Sequence, residues 1–505
     1  MILALTGFLF ALFVAQTIGQ ILGLRRRNVN QKEKLFSELG VEGQSAKKIV
    51  GFFHPYCNAG GGGERVLWAA VSAIQRKEPD IISVVYSGDT DTTKEKIIEK
   101  VKARFDIELS PQSLHFVFLE SRYLVEDSTW PRFTLLGQSI GSMYLVWEAM
   151  SILIPDLFID TMGYAFTFPV VSLLGIIPVG AYVHYPTIST TMVSRVKNRA
   201  AGHTNSGVIS SSPVLSAGKL LYYRIFMYYY AYSLRQARFI MVNSSWTKGH
   251  VDSILQYSDT LLDAVHLLPP LVLLSLLSRR RSASPKEAQI VYPSCDTHQM
   301  AALPLAPRER VILSIAQFRP EKDHPAQLHA FRELLERYPE YRAPNPAAVQ
   351  LVLVGGSRNV GDATRVEGLR ALARELGVQE QVRFVVNASF AEMLGWLGRA
   401  SIGLGTMVDE HFGINIVEFM AAGAIVVAHA SGGPLLDIVV PFEGEPTGFH
   451  ATTPETFAEA FRTVLTLSAE EDLAMRTRAR TWAVRKFSAE EFEKGWDASG
   501  WRKWV

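Results

Sequence analysis

Lys48-Ile49-Val50-Gly51-Phe52-Phe53-His54-Pro55-Tyr56-Cys57-Asn58-Ala59-Gly60-Gly61-Gly62-Gly63-Glu64-Arg65 passes from a continuous apolar run, through a glycine turn, into a helical pattern. A short apolar run bounded by turn residues reads as a strand buried on both faces, and Glu64–Gln75 reads as the helix that follows it. The same unit recurs outward. Ile82–Tyr86, Leu114–Leu119, Leu157–Asp160, Val179–His184 and Phe239–Val242 are further strands, with helices at Thr134–Met150 and Trp246–Leu255. After an interruption the pattern restarts with strands at Val311–Ala316, Gln350–Val354, Val382–Val386, Ile402–Leu404 and Ala424–Ala428. Helices at Ala326–Arg337, Arg365–Leu376, Phe390–Leu397 and Ile414–Ala422 separate them. Strands alternating with helices build parallel sheets. The fold class is α/β: two Rossmann-like, doubly wound domains expected to face a cleft lined by loops at the carboxyl ends of the strands.

A length of 505 residues, 48% hydrophobic and 20% charged, agrees with two or three domains. With 51 basic and 49 acidic residues the net charge is +2, so composition points to no nucleic-acid partner. Cys57 and Cys295 are the only cysteines, too few for a disulfide scaffold or a cysteine-rich zinc site.

No charged side chain occurs in Met1–Leu24, and Arg25-Arg26-Arg27 follows. About 20 apolar residues span a bilayer core, so residues 1–24 are expected to form one transmembrane anchor, followed by a linker over 25–47. A cleaved signal would begin with a basic segment, which is missing here. The arginine cluster favours the cytosolic side, and with it a cytosolic body in which the acceptor patterns at Asn243 and Asn387 stay unglycosylated. The domains are expected at 48–300 and 301–488, with a terminal helix over 489–505. Within the first domain Leu215–Arg235 is unusually aromatic and suits either an interfacial amphipathic helix or a core helix. Leu261–Pro285, with its Pro-Pro break and Arg279-Arg280-Arg281, reads as a surface insertion.

Three loops at strand ends carry candidate chemistry. Gly60, Gly61, Gly62 and Gly63 open a helix, where backbone amides can approach a phosphate or sugar. The spacing is neither that of a P-loop nor of a dinucleotide fold, and a plain flexible turn has the same composition. Gln317–His324 follows the first strand of the second domain, and Arg319 and Lys322 could clamp a diphosphate there; two surface charges on a loop read alike. Asp323 and His324 lack metal-site spacing, so no metal is expected. Glu410 and Glu418 are eight residues apart in Glu410-His411-Phe412-Gly413-Ile414-Asn415-Ile416-Val417-Glu418. In a continuous helix they would share a face about 12 Å apart, suited to the two ends of a sugar nucleotide, with amides near Gly413 and Ile414 at the diphosphate.

Glu410 to Glu418 is also the E-x7-E spacing of retaining glycosyltransferases with the GT-B fold. Phe52–Ala59 with its glycine run, Phe158–Phe166, Tyr182–Pro186, Val242–Thr247, Arg319–His324 and Ser431–Pro434 narrow the match. Together they resemble the GDP-mannose-dependent α-1,2-mannosyltransferases of dolichol-linked oligosaccharide assembly, from about Lys48 to the C terminus apart from the insertion. The resemblance implies that the fourth and fifth mannoses pass from GDP-mannose to dolichol-diphosphate-linked Man3GlcNAc2, with retention, on the cytosolic face of the endoplasmic reticulum membrane. It assigns the diphosphate to Arg319 and Lys322, the ribose to Glu418 and the mannose to Glu410. His184 would lie near the sugar, and the glycine run near the donor. Catalysis would rest on Glu410, Arg319, Lys322 and His184 with no cofactor, and other mannosyltransferases of the pathway would be partners. The chain departs from this pattern at Leu261–Pro285, a lineage-specific insertion or retained intron sequence, and at Ser294, where relatives tend to have proline. Rival readings are a lipid-linked glycosyltransferase with another donor and a non-catalytic membrane scaffold.

Overall fold

A computed structural model of the chain describes residues 2–40, 47–189, 192–193, 213–266, 287–357 and 359–505. Two compact units form: Met1–Val242 with Thr247–Val291 and Gly495–Val505, and Asn243–Trp246 with Tyr292–Lys494. The first is built on β1 (Lys48–Phe53), β2 (Ile81–Ser87), β3 (Leu114–Phe118), β4 (Leu157–Asp160), β5 (Val179–Val183), β6 (Phe239–Val242) and β7 (Gln289–Ile290). Its sheet runs β3-β2-β1-β4-β5-β6-β7, parallel throughout. The second holds β8 (Glu309–Ile315), β9 (Gln350–Gly355), β10 (Val382–Val386), β11 (Ala400–Gly405), β12 (Ile425–His429) and β13 (Gly448–Ala451). Its parallel order is β10-β9-β8-β11-β12-β13. All of β2, and β1 beyond Lys48, are buried, which is why their sequences are apolar runs and not alternations.

In each sheet the strand order reverses beside the first strand, between β1 and β4 and between β8 and β11. Crossover helices leave such a junction toward opposite faces, so the loops beyond it are not covered.

The N-terminal helix is longer than expected, Ile2–Glu38. Arg25 Nε and Nη2 donate to the carbonyls of Leu174 (2.9 Å) and Leu173 (3.1 Å) at the end of the helix Thr167–Leu174. Asn28 exchanges two hydrogen bonds with the Ile154 backbone, and Lys32 pairs with Asp156 at 2.7 Å. Spacings of three and four residues put these three side chains on one helical face. The segment from 25 to 38, expected as linker, is therefore a docked helix. The expected span at 1–24 has the side chains of residues 1–15, 17 and 18 outside the described ones. Among the described residues no helix is long and apolar enough to cross a membrane.

The helix Ala489–Ala498 ends with residues that belong to the first unit. Trp496 and Trp501 are fully buried, and the Trp496 ring centroid lies 6.3 Å from Phe52 and 6.4 Å from Tyr182. Lys77–Asp497 at 2.8 Å and Arg502–Glu78 add surface ion pairs. Such pairs contribute about 0–1 kcal/mol each, whereas removing a buried tryptophan costs about 3–5 kcal/mol, so the rings hold this segment.

The aromatic stretch forms the helix Pro213–Leu234, and its buried face bears out the core reading. Tyr223, Phe226, Met227, Tyr230 and Leu234 enter the core, while Leu215, Leu221 and Ile225 stay exposed. Of the insertion, Thr260–His266 is helical, and 267–286 lie outside the described residues.

Candidate active site

At the β8–β11 junction of the second unit, the turn after β8 carries Arg319 and Lys322, and the loop after β11 carries Glu410 and Gly413. Lys322 Nζ donates to Glu410 Oε2 at 2.5 Å and lies 3.3 Å from Met407 Sδ. The two side chains are 22% and 16% exposed, so solvent screens this pair less than a surface one. Thr406 ties the loops together. Its hydroxyl accepts from Gln327 Nε2 (2.9 Å) and lies within donating reach of the carbonyls of Lys322 (3.0 Å) and Asp323 (3.2 Å). Asp323 takes a left-handed backbone (φ 47°) and caps the helix His324–Arg337 by accepting from Ala326 N–H. Burial, with the cations Lys322 and Arg365 nearby, pushes the His324 imidazole down to about 4, so it is neutral near pH 7.

Arg319 reaches only Glu321, at 3.7 Å, and its Nε is shielded from solvent with no hydrogen-bond partner among the described residues. A shielded N–H without an acceptor costs about 1–3 kcal/mol, which an anion placed against it would recover.

The Glu410 loop is set by backbone packing. Gly433 N–H donates to Glu410 O at 2.7 Å, and Ser431 Oγ accepts from Asp409 N–H at 2.7 Å. A Cβ on Gly432 (φ 62°) would stand 2.2 Å from Glu410 O, so only glycine permits this approach. Gly413 (φ 109°) caps the helix Ile414–Ala422. The helix begins at Ile414, as expected, so Glu410 precedes it and the rise of about 12 Å for a wholly helical stretch does not apply to the pair. Glu418 sits half-buried on the helix. The amides of its first turn form a weakly positive end beside Glu410 and Lys322.

A second cluster occupies the β1–β4 junction of the first unit. Gly61 caps the helix Gly62–Lys77, and Glu64 Oε2 accepts from Gly61 N–H. Glu64 Oε1 lies 3.4 Å from His54 Nε2, and His54 Nδ1 lies 2.8 Å from Thr161 Oγ1, which reaches across the junction. Burial pushes the Glu64 carboxyl up, but the His54 and Gly61 hydrogen bonds outweigh it and hold the group below its ordinary value. His184 packs on the glycine run: a Cβ on Gly63 would stand 3.4 Å from His184 Nε2. Next to Thr161, the fully buried Asp160 accepts from Met162 N–H (3.1 Å) and Gly163 N–H (2.8 Å).

The expected site residues thus fall into two groups within separate units: Gly60–Gly63 with His184, and Lys322 with Glu410 beside Gly413 and Ile414. The roles of His54 and Glu64 escaped the sequence reading; their signal is a histidine at a strand end ten residues before a first-turn acid. So did the Trp246–His411 stack (5.4 Å, 11°), which with the 2.5 Å hydrogen bond from Ser244 Oγ to His411 O braces the loop beside Glu410. Among the described residues no group of three or more His, Cys, Asp or Glu is placed to hold a metal. A cation, an acid and helix-end amides together can hold a diphosphate and a neighbouring hydroxylated group.

Two family models match: "ALG11 mannosyltransferase N-terminus" over residues 47–255 and "Glycosyl transferases group 1" over 296–482. The chain is 45% identical over 467 residues to the human GDP-Man:Man(3)GlcNAc(2)-PP-Dol alpha-1,2-mannosyltransferase, covering 92% of this chain and 88% of that one. The protein of the same name from Dictyostelium discoideum is 44% identical, with 88% and 82% covered. Among solved structures, sucrose-phosphate synthase (tll1590) from Thermosynechococcus elongatus shares 16% identity with a TM-score of 0.56, covering 90% of this chain and 98% of that one. Anabaena Alr3699/HepE in complex with UDP and glucose shares 14% with a TM-score of 0.53, covering 90% and 99%. With the two Rossmann-like sheets, these neighbours establish the GT-B α/β fold.

Burial pushes the Asp160 carboxyl from its ordinary 3.8 up to about 7, against the opposing backbone hydrogen bonds of Met162, Gly163 and Tyr164. Between those values the folded chain keeps a proton that the unfolded chain has lost. The stabilisation is full below about pH 4 and is lost as pH rises toward 7. Unfolding free energy measured in denaturant is expected to fall over this window by about 1 kcal/mol per pH unit on this account, and Asp160→Asn should flatten that slope. Equal slopes in the two proteins would remove Asp160 as its source.

Proposed function

The chain belongs to the family of GDP-Man:Man(3)GlcNAc(2)-PP-Dol alpha-1,2-mannosyltransferases, and from that premise we propose that it transfers mannose from GDP-mannose to a dolichol-diphosphate-linked Man3GlcNAc2 acceptor. It adds the fourth and fifth mannoses, each in α-1,2 linkage with retention. The observation that carries this reading is the Lys322–Glu410 pair held beside the Gly413 helix cap.

In this reading Arg319 and Lys322 neutralise the donor diphosphate, with the Gly413 and Ile414 amides as further donors. Glu418 accepts from the ribose hydroxyls and Glu410 from those of mannose. Gly60, Gly61, Gly62 and Gly63 are assigned to the donor and His184 to the sugar. The bond from the anomeric carbon to the diphosphate oxygen breaks as the acceptor hydroxyl oxygen bonds to the same face of that carbon. The hydroxyl proton passes to the departing diphosphate oxygen, so no protein base is needed. Charge gathers on the leaving group, where a fixed cation stabilises the transition state more than the ground state. Arg319 and Lys322 supply that charge without a metal ion.

The proposed location is the endoplasmic reticulum membrane, with an N-terminal anchor in residues 1–24 and both units on the cytosolic face. Arg25–Arg27 supports that orientation, and other transferases of the pathway are proposed neighbours.

Three experiments test this reading and its location. Full-length protein given GDP-mannose and lipid-linked Man3GlcNAc2 should add two α-1,2-mannoses, with EDTA leaving the rate unchanged. Lys322→Ala should lower kcat by about 10²–10³-fold with little change in melting temperature, the loss typical of one leaving-group contact. Turnover with UDP-GlcNAc but not GDP-mannose would overturn the donor, and a wild-type rate in Lys322→Ala would take that residue out of the site. For the anchor, deleting Met1–Leu24 should move much of the protein from the membrane pellet to the supernatant; full retention in the pellet contradicts it.

A further inference from the structure

In the first unit the helices Thr134–Ile152, Thr167–Leu174 and Pro213–Leu234 surround a cavity of about 430 Å³. Leu136, Ile140, Met143, Phe166, Tyr222 and Ile225 contribute to its wall, and no charged side chain among the described residues lines it. The volume lies in the range of about 300–1,000 Å³ usual for ligand sites. Its wall is not sealed: Ile140 is 55% exposed, Leu136 43% and Ile225 38%. Tyr144 and Trp147 continue the exposed apolar stripe along the same helix. So much contiguous apolar surface marks a place where something apolar binds.

The ends of the cavity differ. At one end the exposed Phe133 meets Tyr222 edge-on at 5.8 Å, and Arg132 directly precedes Phe133. Lys219 stands one turn before Tyr222 on the same helix, its Nζ 5.4 Å from the Tyr223 ring centroid. A hollow with apolar walls, and with two basic residues in the segments that meet at Phe133 and Tyr222, fits one chain with an anionic head better than a flat bilayer face does.

We propose that this cavity binds the head-proximal isoprene units of the acceptor's polyprenyl chain, with its diphosphate at the Arg132–Lys219 rim. The inference rests on the lipid-linked acceptor proposed above for the identity of the chain. It is tested without turnover, so its failure and the failure of that reading are separate results.

The probe is geranylgeranyl diphosphate carrying a benzophenone on its chain, photo-crosslinked to the full-length protein in non-ionic detergent. Label is expected in peptides from Thr134–Ile152 and Pro213–Leu234. Unlabelled geranylgeranyl diphosphate should displace it, while phosphatidylcholine at the same concentration should not. Ile140→Glu places a charge in the wall at an exposed position and should lower labelling about tenfold, equivalent to losing a few buried methylenes. Leu136→Glu serves as the second variant, and each is used with its melting temperature unchanged. Label elsewhere or nowhere, equal displacement by phosphatidylcholine, or full labelling in both variants would overturn the proposal.

Discussion

Both candidate clusters at the strand ends depend on the reversal of strand order beside β1 and beside β8. In a parallel sheet every strand ends on the same edge, and only at a reversal do two loops meet without a crossover helix over them. Val50 pairs with Leu157 across the first reversal, and Ile312 with Ile402 across the second. Those registers decide which side chains can touch beyond the strand ends. His54 reaches Thr161 in one unit, and Lys322 reaches Glu410 in the other. A slip of one residue would turn alternate side chains to the opposite face and dissolve both contacts.

The second constraint is the fixing of flexible parts. Lysine and glutamate side chains lose much rotamer entropy when held, so the loops beneath them must already be ordered. Thr406 and Gln327 bind the two strand-end loops to each other, and Gly432 lets a third loop lie against the Glu410 backbone. The Trp246–His411 stack then braces the residue next to Glu410. The Lys322–Glu410 pair is thus framed by Thr406, Gln327 and the Trp246–His411 stack.

The sheets were legible because their central strands are buried on both faces and so appear as apolar runs, as in Ile49–Phe53 and Ile82–Tyr86. The edge strands β7 and β13 were missed: Gln289–Ile290 has two residues, and Gly448–Ala451 is half-buried with no apolar run. The candidate residues could be found one loop at a time, but contacts such as His54–Glu64 need the helix to fold back along the strand. One error has a local cause: Arg25, Asn28 and Lys32 find backbone and carboxylate partners that turn an apparent linker into a docked helix. A pattern of charge cannot show whether its partner is water or protein.

The central claim, that Arg319 and Lys322 at the β8–β11 junction grip a nucleoside diphosphate, is tested most directly by calorimetric titration of the full-length chain with GDP and with GMP. GDP should bind at least about tenfold more tightly, because only its second phosphate meets both cations. That advantage should vanish in the Arg319→Ala/Lys322→Ala double variant. Equal affinities for GDP and GMP in the wild type, or an advantage that survives the double substitution, would contradict the account.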